Sequence, residues 1–147
     1  MNITKYSTML NEKRTVQLVE EAESEYDEGD LNSPEKIARM LNQLYGLDMQ
    51  TEEYVYLIAF NAKYRPIGVF ELSHGVVNAS QISPREVFMK AVICNATSVV
   101  IAHNHPSGDP TPSDEDKAVY GELLKASEVL CIYVADFIIV GDAMLIL

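Results

Sequence analysis

The spacing of apolar positions changes character along the chain. Val16, Val19 and Ala22 recur every three residues, which predicts a first helix over about 12–26. Ile37, Met40, Leu41, Leu44 and Tyr45 follow an i, i+3, i+4, i+7, i+8 pattern, so a second helix carries one apolar face. Ser33 can cap it, Pro34 suits its first position, and Gly46 follows its end. From Tyr54 onward the apolar residues come in runs. YVYLIAF (54–60) and IGVFEL (67–72) flank the turn-like NAKYR (61–65) and predict a hairpin. Ser83-Pro84-Arg85-Glu86 has the form of a capping box, with Val87, Phe88, Ala91 and Val92 carrying a helix to about Asn95. TSVVIA (97–102) is β-branched and wholly apolar, as a strand covered on both faces must be. Ser113 can cap a helix running to about Ser127, with Val119, Tyr120, Leu123 and Leu124 inward. LCIYVA and DFIIV read as two strands, and Gly141-Asp142 as a two-residue turn before AMLIL.

This order predicts a mixed α/β fold with helices packed on a central sheet. Residues 1–50 read as an N-terminal helical segment and 51–147 as the α/β unit. There is no internal repeat. The apolar face of the second helix would be buried equally by the sheet, by a partner or by a second copy.

Composition narrows the class. Hydrophobic residues make up 48% of 147, which fits a soluble globular chain rather than a disordered one. No apolar run approaches the ~18 residues of a membrane span, and the N-terminus lacks the form of a secretory leader. Cys94 and Cys131 form no CxxC pair and lie in apolar runs, so they are expected to be reduced, buried and inert, in the cytoplasm. The sequons at Asn2, Asn78 and Asn95 then carry no meaning. The net charge of −11 disfavours autonomous binding to nucleic acid or to anionic membranes. Glu20 to Asp30 holds seven acids and no base, and reads as a solvated helix end and loop.

The chemistry concentrates in HNHPSGDPTPSDED, residues 103–116. His103 and His105 follow a buried strand, and in extended backbone i and i+2 side chains point the same way. Two imidazoles can thus converge on a divalent ion such as zinc. Pro106, Gly108, Pro110 and Pro112 stiffen a loop that can return Asp116, in the first turn of the next helix, to the histidines. Two His and one Asp would leave a fourth position on zinc for water. A lone HxH is more often structural, and Ser113-x-x-Asp116 is itself a capping box; the cap and the ligand roles are compatible.

HxHP, a run from Pro106 to Pro112, then Ser, two residues and Asp resembles the JAMM motif of JAB/MPN-domain metalloproteases. The form HNHPSGxxxPSxxD is similar to the RadC branch, as are Pro84-Arg85-Glu86, the strand 97–102 and DFIIVG (136–141), so the likeness covers about 50–142. The resemblance implies a three-layer JAB/MPN (cytidine deaminase-like) fold over 51–147. It implies zinc ligation by His103, His105 and Asp116, with Ser113 holding the substrate carbonyl oxygen. A glutamate ahead of the first strand of this unit would act as general base. Glu53 fits the family register better than Glu52, and Glu71 is a third candidate. The implied activity is hydrolysis of a peptide or isopeptide bond in an unspecified protein substrate.

Two positions depart from the family pattern. RadC-like chains usually read Asp-His where this chain has Asp136-Phe137, and residues 1–50 lack the helix-hairpin-helix that longer RadC proteins carry. His74 is expected on the surface, in a loop. Two alternatives follow from the likeness: a RadC-type protein associated with DNA repair, and a non-catalytic MPN-type scaffold.

Overall fold

The computed structural model describes residues 1–75 and 82–147. The sequon at Asn78 lies outside the described residues. Strands β1 (Asn2–Leu10), β2 (Val16–Glu25), β3 (Tyr54–Phe60), β4 (Pro66–His74), β5 (Ser98–Asn104), β6 (Tyr133–Val140) and β7 (Met144–Ile146) form one mixed sheet. Its order is β2-β1-β4-β3-β5-β6-β7. The pairs β1/β4 and β5/β6 are parallel and the others antiparallel. Helix α1 (Pro34–Tyr45) covers one face; α2 (Pro84–Ile93) and α3 (Asp114–Leu130) cover the other. This is the mixed α/β, three-layer arrangement expected of the sequence.

Every residue of β5 is buried. Val99 and Ile101 join Leu57, Phe137 and Leu123 beneath α2 and α3, whereas Val100 and Ala102 join Ile58, Ile138 and Leu41 beneath α1. A strand apolar on both sides is the natural centre of a sheet with helices on both faces. The second predicted helix is realised as α1. Ser33 accepts the Lys36 N–H at 3.4 Å, and Gly46 ends the helix in the left-handed region at φ 61°, its N–H on the Asn42 carbonyl. Its apolar face is buried against the sheet.

The first predicted helix is not formed. Residues 2–25 make the β1/β2 hairpin, so the segment 1–50 is helical only after Ser33, and most of the acidic run Glu20–Asp30 belongs to an outer strand. The turn explains it. In NEKRT (11–15), Asn11 Oδ1 accepts the N–H groups of Lys13 and Thr15, and Arg14 is left-handed at φ 64°. NAKYR (61–65) repeats this turn: Asn61 Oδ1 accepts from Lys63 and Arg65, with Tyr64 at φ 57°. An asparagine that organises its own turn outweighs a three-residue apolar spacing that a strand also tolerates.

Four smaller expectations are also corrected. LCIYVA and DFIIV do not form two strands. α3 extends to Leu130, Cys131 caps it at φ 55°, and one strand runs through Ala135-Asp136, where a bulge skips Ala135 between the pairs Val99/Val134 and Val100/Asp136. Cys131 is consequently exposed and Cys94 half-buried, so neither is a sealed core thiol. The Ser83 side chain makes no capping hydrogen bond, and Glu86, the other half of the expected box, turns to Lys90 at 3.2 Å. The β6/β7 turn spans residues 141–143, since Val140 pairs with Met144.

Gly68 seats the hairpin on the sheet. A Cβ there would overlap the Tyr6 ring and lie 2.8 Å from the Thr4 carbonyl oxygen. Gly68→Val should therefore cost about 1–3 kcal/mol in thermal unfolding. It should also raise proteolytic cleavage within 2–25 ahead of the remaining chain.

Candidate metal centre

Three elements bring four side chains to one point. β5 ends with His103 on the face under α3, in line with Val99 and Ile101, and His105 follows two residues on. The antiparallel register sets Val55 opposite His103, which puts Glu53, just before β3, on that same face. Asp116 lies three and seven residues before Val119 and Leu123, the inward stripe of α3. One donor atom from each of Glu53, His103, His105 and Asp116 lies within 4.8 Å of all the others.

The loop between the histidines and α3 is strapped down. The His105 N–H donates to the Val140 carbonyl at 2.8 Å, and the Asp142 N–H to the Gly108 carbonyl at 2.7 Å. Gly108 sits at φ 87°, and a Cβ there would come within 2.6 Å of Asp142 Oδ2. The left-handed φ is what calls for glycine here, since the exposed Asp142 carboxylate could turn aside.

Hydrogen bonds at one ring nitrogen assign the other. His103 Nδ1 donates to Glu53 Oε1 at 3.0 Å, and His105 Nδ1 donates to the Asp109 carbonyl at 2.9 Å. In the neutral imidazoles both Nε2 atoms would then present lone pairs, which for His103 requires loss of a proton. His103 Nε2 lies 3.1 Å from Asp116 Oδ1, and His105 Nε2 3.2 Å from Asp116 Oδ2. His103 Nε2 and Asp116 Oδ1 are close but misaligned, and both are fully buried without a hydrogen-bond partner. Two orphaned polar atoms aimed at one point, in a set of two imidazoles and a carboxylate, fit a divalent cation of the zinc type.

The charges follow from burial and proximity. Burial pushes the His103 imidazole down, but the Asp116 and Glu53 carboxylates at its two nitrogens outweigh it and raise it to about 9. Burial pushes Asp116 up, and His103 together with the Ser113 N–H at 2.8 Å overrides this, lowering it to about 2. Asp116 Oδ2 and Ser113 Oγ complete a reciprocal capping box, with the Asp116 N–H on Ser113 Oγ at 3.0 Å.

Of the three candidate glutamates, the structure brings Glu53 to the histidines, with 7% of its surface exposed. Glu52 is exposed, and Glu71 pairs with His74 at 3.2 Å and Lys5 at 3.8 Å. His74 is exposed as expected but ends β4 instead of lying in a loop, and stacks on Tyr54. Ser113 is exposed beside the cluster. Phe137, fully buried, meets the His103 ring edge-on at 5.5 Å and stacks on Tyr120 at 5.6 Å, so it supplies an apolar wall and no donor. Sequence reasoning passed over Asn104. Its side chain binds the backbone on both sides of Glu53, a role that depends on the β3/β5 register and leaves no local mark.

A family model of the RadC-like JAB domain matches residues 31–146, which takes in α1. Among curated proteins the chain is similar to UPF0758 proteins. One from Caldanaerobacter subterraneus subsp. tengcongensis is 38% identical over 112 residues, 76% of this chain and 47% of that protein. Another from Desulfitobacterium hafniense is 37% identical over 113 residues, 76% and 48%. One from Stenotrophomonas maltophilia is 36% identical over 121 residues, 82% and 51%. The chain spans about half the length of the curated relatives it matches.

The pH dependence of the metal-free protein follows. His103 is raised in the fold, so its contribution is complete below its ordinary 6.5 and is lost as pH rises through about 9. Asp116 is lowered, so its contribution is present above 3.8 and is lost as pH falls toward about 2. Thermal unfolding without metal should show a plateau between these limits and a fall from pH 6.5 to 9. Loading metal at pH 7 should release a proton from His103, visible as a calorimetric heat that depends on the buffer.

Proposed function

The chain belongs to the RadC-like JAB domain family, and we propose that it is a zinc-dependent hydrolase of peptide or isopeptide bonds in a protein substrate. The observation that carries this reading is the convergence of His103 Nε2, His105 Nε2 and the Asp116 carboxylate beside a buried glutamate. His103, His105 and Asp116 would hold the ion, with Glu53 in the same cluster and Ser113 next to it at the N-cap of α3. When bound, zinc would acidify an attacking water and polarise the scissile carbonyl.

The chain's own residues do the rest. Glu53 Oε1 is occupied by the His103 Nδ1–H, while Oε2 has no hydrogen-bond partner among the described residues. Oε2 takes the proton from the attacking water and delivers it to the leaving amine. Ser113 Oγ accepts the Asp116 N–H with a lone pair, so its own O–H is free to donate to the carbonyl oxygen as charge builds there. The Phe137 ring, itself stacked on Tyr120, meets the fully buried His103 imidazole edge-on and helps keep bulk water from it, which strengthens each of these interactions.

The scaffold alternative expects a degraded ligand set, and all four donors are in place here. A DNA-linked role rests on the family likeness alone, and a net charge of −11 works against autonomous binding to phosphate backbone. No helix among the described residues is long and apolar enough to cross a membrane.

The test is elemental analysis of protein purified without chelator, paired with a peptide-library cleavage screen. Wild type should carry about one zinc per chain, and Asp116→Ala much less. Glu53→Gln should keep the metal and lose ~10²- to 10⁴-fold in cleavage rate. A wild type that takes up no zinc after loading at neutral pH would overturn the reading.

A further inference from the structure

We propose that Asn104 is a positioning residue for Glu53, its side chain standing in for the missing peptide group that would continue the sheet; the importance of this rests on the reading of Glu53 as the proton carrier. The backbone ladder between β3 and β5 runs from Phe60 opposite Ser98 to Val55 opposite His103 and stops there. The next residues outward are Tyr54 and Asn104. Instead of pairing by backbone, Asn104 Oδ1 accepts the Tyr54 N–H at 2.7 Å, and Asn104 Nδ2 donates to the Glu52 carbonyl at 2.9 Å. One amide thereby binds both peptide groups that flank Glu53. The Glu53 carbonyl in turn accepts the Gly75 N–H at 3.0 Å.

Three hydrogen bonds thus fix the backbone of a residue that lies outside regular structure. Asn104 is 2% exposed, so little water competes for them. The outcome is the placement of Glu53 Oε1 on His103 Nδ1. The chemistry demands an amide of this length. Aspartate keeps the acceptor for Tyr54 but cannot donate to Glu52, and alanine does neither. Glutamine is one methylene too long. His103 and Asn104 are successive residues of one strand, so their side chains leave on opposite faces. The strand therefore places a metal-facing imidazole with one residue and the carboxylate that orients it with the next.

The two histidine Nδ1–H protons read this directly. His103 Nδ1–H reports the Glu53 contact, and His105 Nδ1–H, bound to Asp109, serves as an internal control on the same loop. Their exchange with solvent can be followed by NMR in histidine-labelled protein, metal-free and zinc-loaded. Asn104→Ala should exchange the His103 proton at least ~10-fold faster while leaving the His105 proton unchanged, the factor expected for loss of one buried hydrogen bond. Asn104→Asp, which keeps the shape and the Tyr54 contact, should also accelerate the His103 proton selectively, and decides the matter where the alanine variant does not fold. An unchanged His103 rate, or equal acceleration at both histidines, would overturn the proposal, the second outcome meaning a general loosening. Because the metal-free protein gives the same readout, a wild type that binds no zinc would overturn the hydrolase reading and leave this one to be decided by the exchange rates.

Discussion

The site depends on how one strand ends. β5 is buried on both faces, so its alternation is imposed by two cores at once and cannot slip by a residue without turning apolar side chains into the wrong layer. That constraint carries through to His103 and Asn104. The fixed register sends the imidazole toward α3 and the amide toward the start of β3. The placement of His103 is therefore inherited from the core, and the polar contacts of Asn104 and Ser113 bring the carboxylates to it. Sites built on regular elements hold their geometry better than sites built on loops. Here His105 and Glu53 lie outside regular elements; the His105 N–H bond to Val140 and the Asp142 N–H bond to Gly108 hold the first, and the side chain of Asn104 holds the backbone around the second.

Asp116 couples this site to the fold in a second way. Its Oδ2 closes the capping box of α3 and also lies beside His105, while Oδ1 faces His103. One carboxylate so satisfies a helix terminus and faces two imidazoles. A buried carboxylate is costly unless it is paired and hydrogen-bonded, and this one is both. The start of α3 and the side-chain cluster are consequently a single structural unit: a change that frays the first turn also withdraws Asp116 from the histidines.

Much of this was legible in the sequence, for identifiable reasons. α1 declared itself because Ser33, Pro34 and Gly46 bracket a clean apolar face, and the HNHP–Ser–Asp spacing pointed to side chains that cluster because a Pro- and Gly-stiffened loop returns Asp116 to the histidines. The β1/β2 hairpin was missed although NEKRT is the same turn as the recognised NAKYR; Val16, Val19 and Ala22 fit a helix stripe and an outer strand alike. The choice among the glutamates was hidden for a different reason. β3 is apolar at both parities, Val55, Leu57 and Ala59 on one side and Tyr56, Ile58 and Phe60 on the other, so its pattern says nothing about which face follows Glu53. Only the pairing of Val55 with His103 decides it. The role of Asn104 was hidden by the same dependence on a partner 50 residues away.

The outer strand has a consequence for the protein in crowded solution. β2 ends the sheet, and its outer edge pairs with no other strand among the described residues. An open edge of ten residues invites another chain to add on. This edge carries Glu20, Glu21, Glu23 and Glu25, so a second copy approaching to extend the sheet would bring like charges face to face at the spacing of paired strands. The excess of acid near the N-terminus thus works as a guard against open-ended stacking.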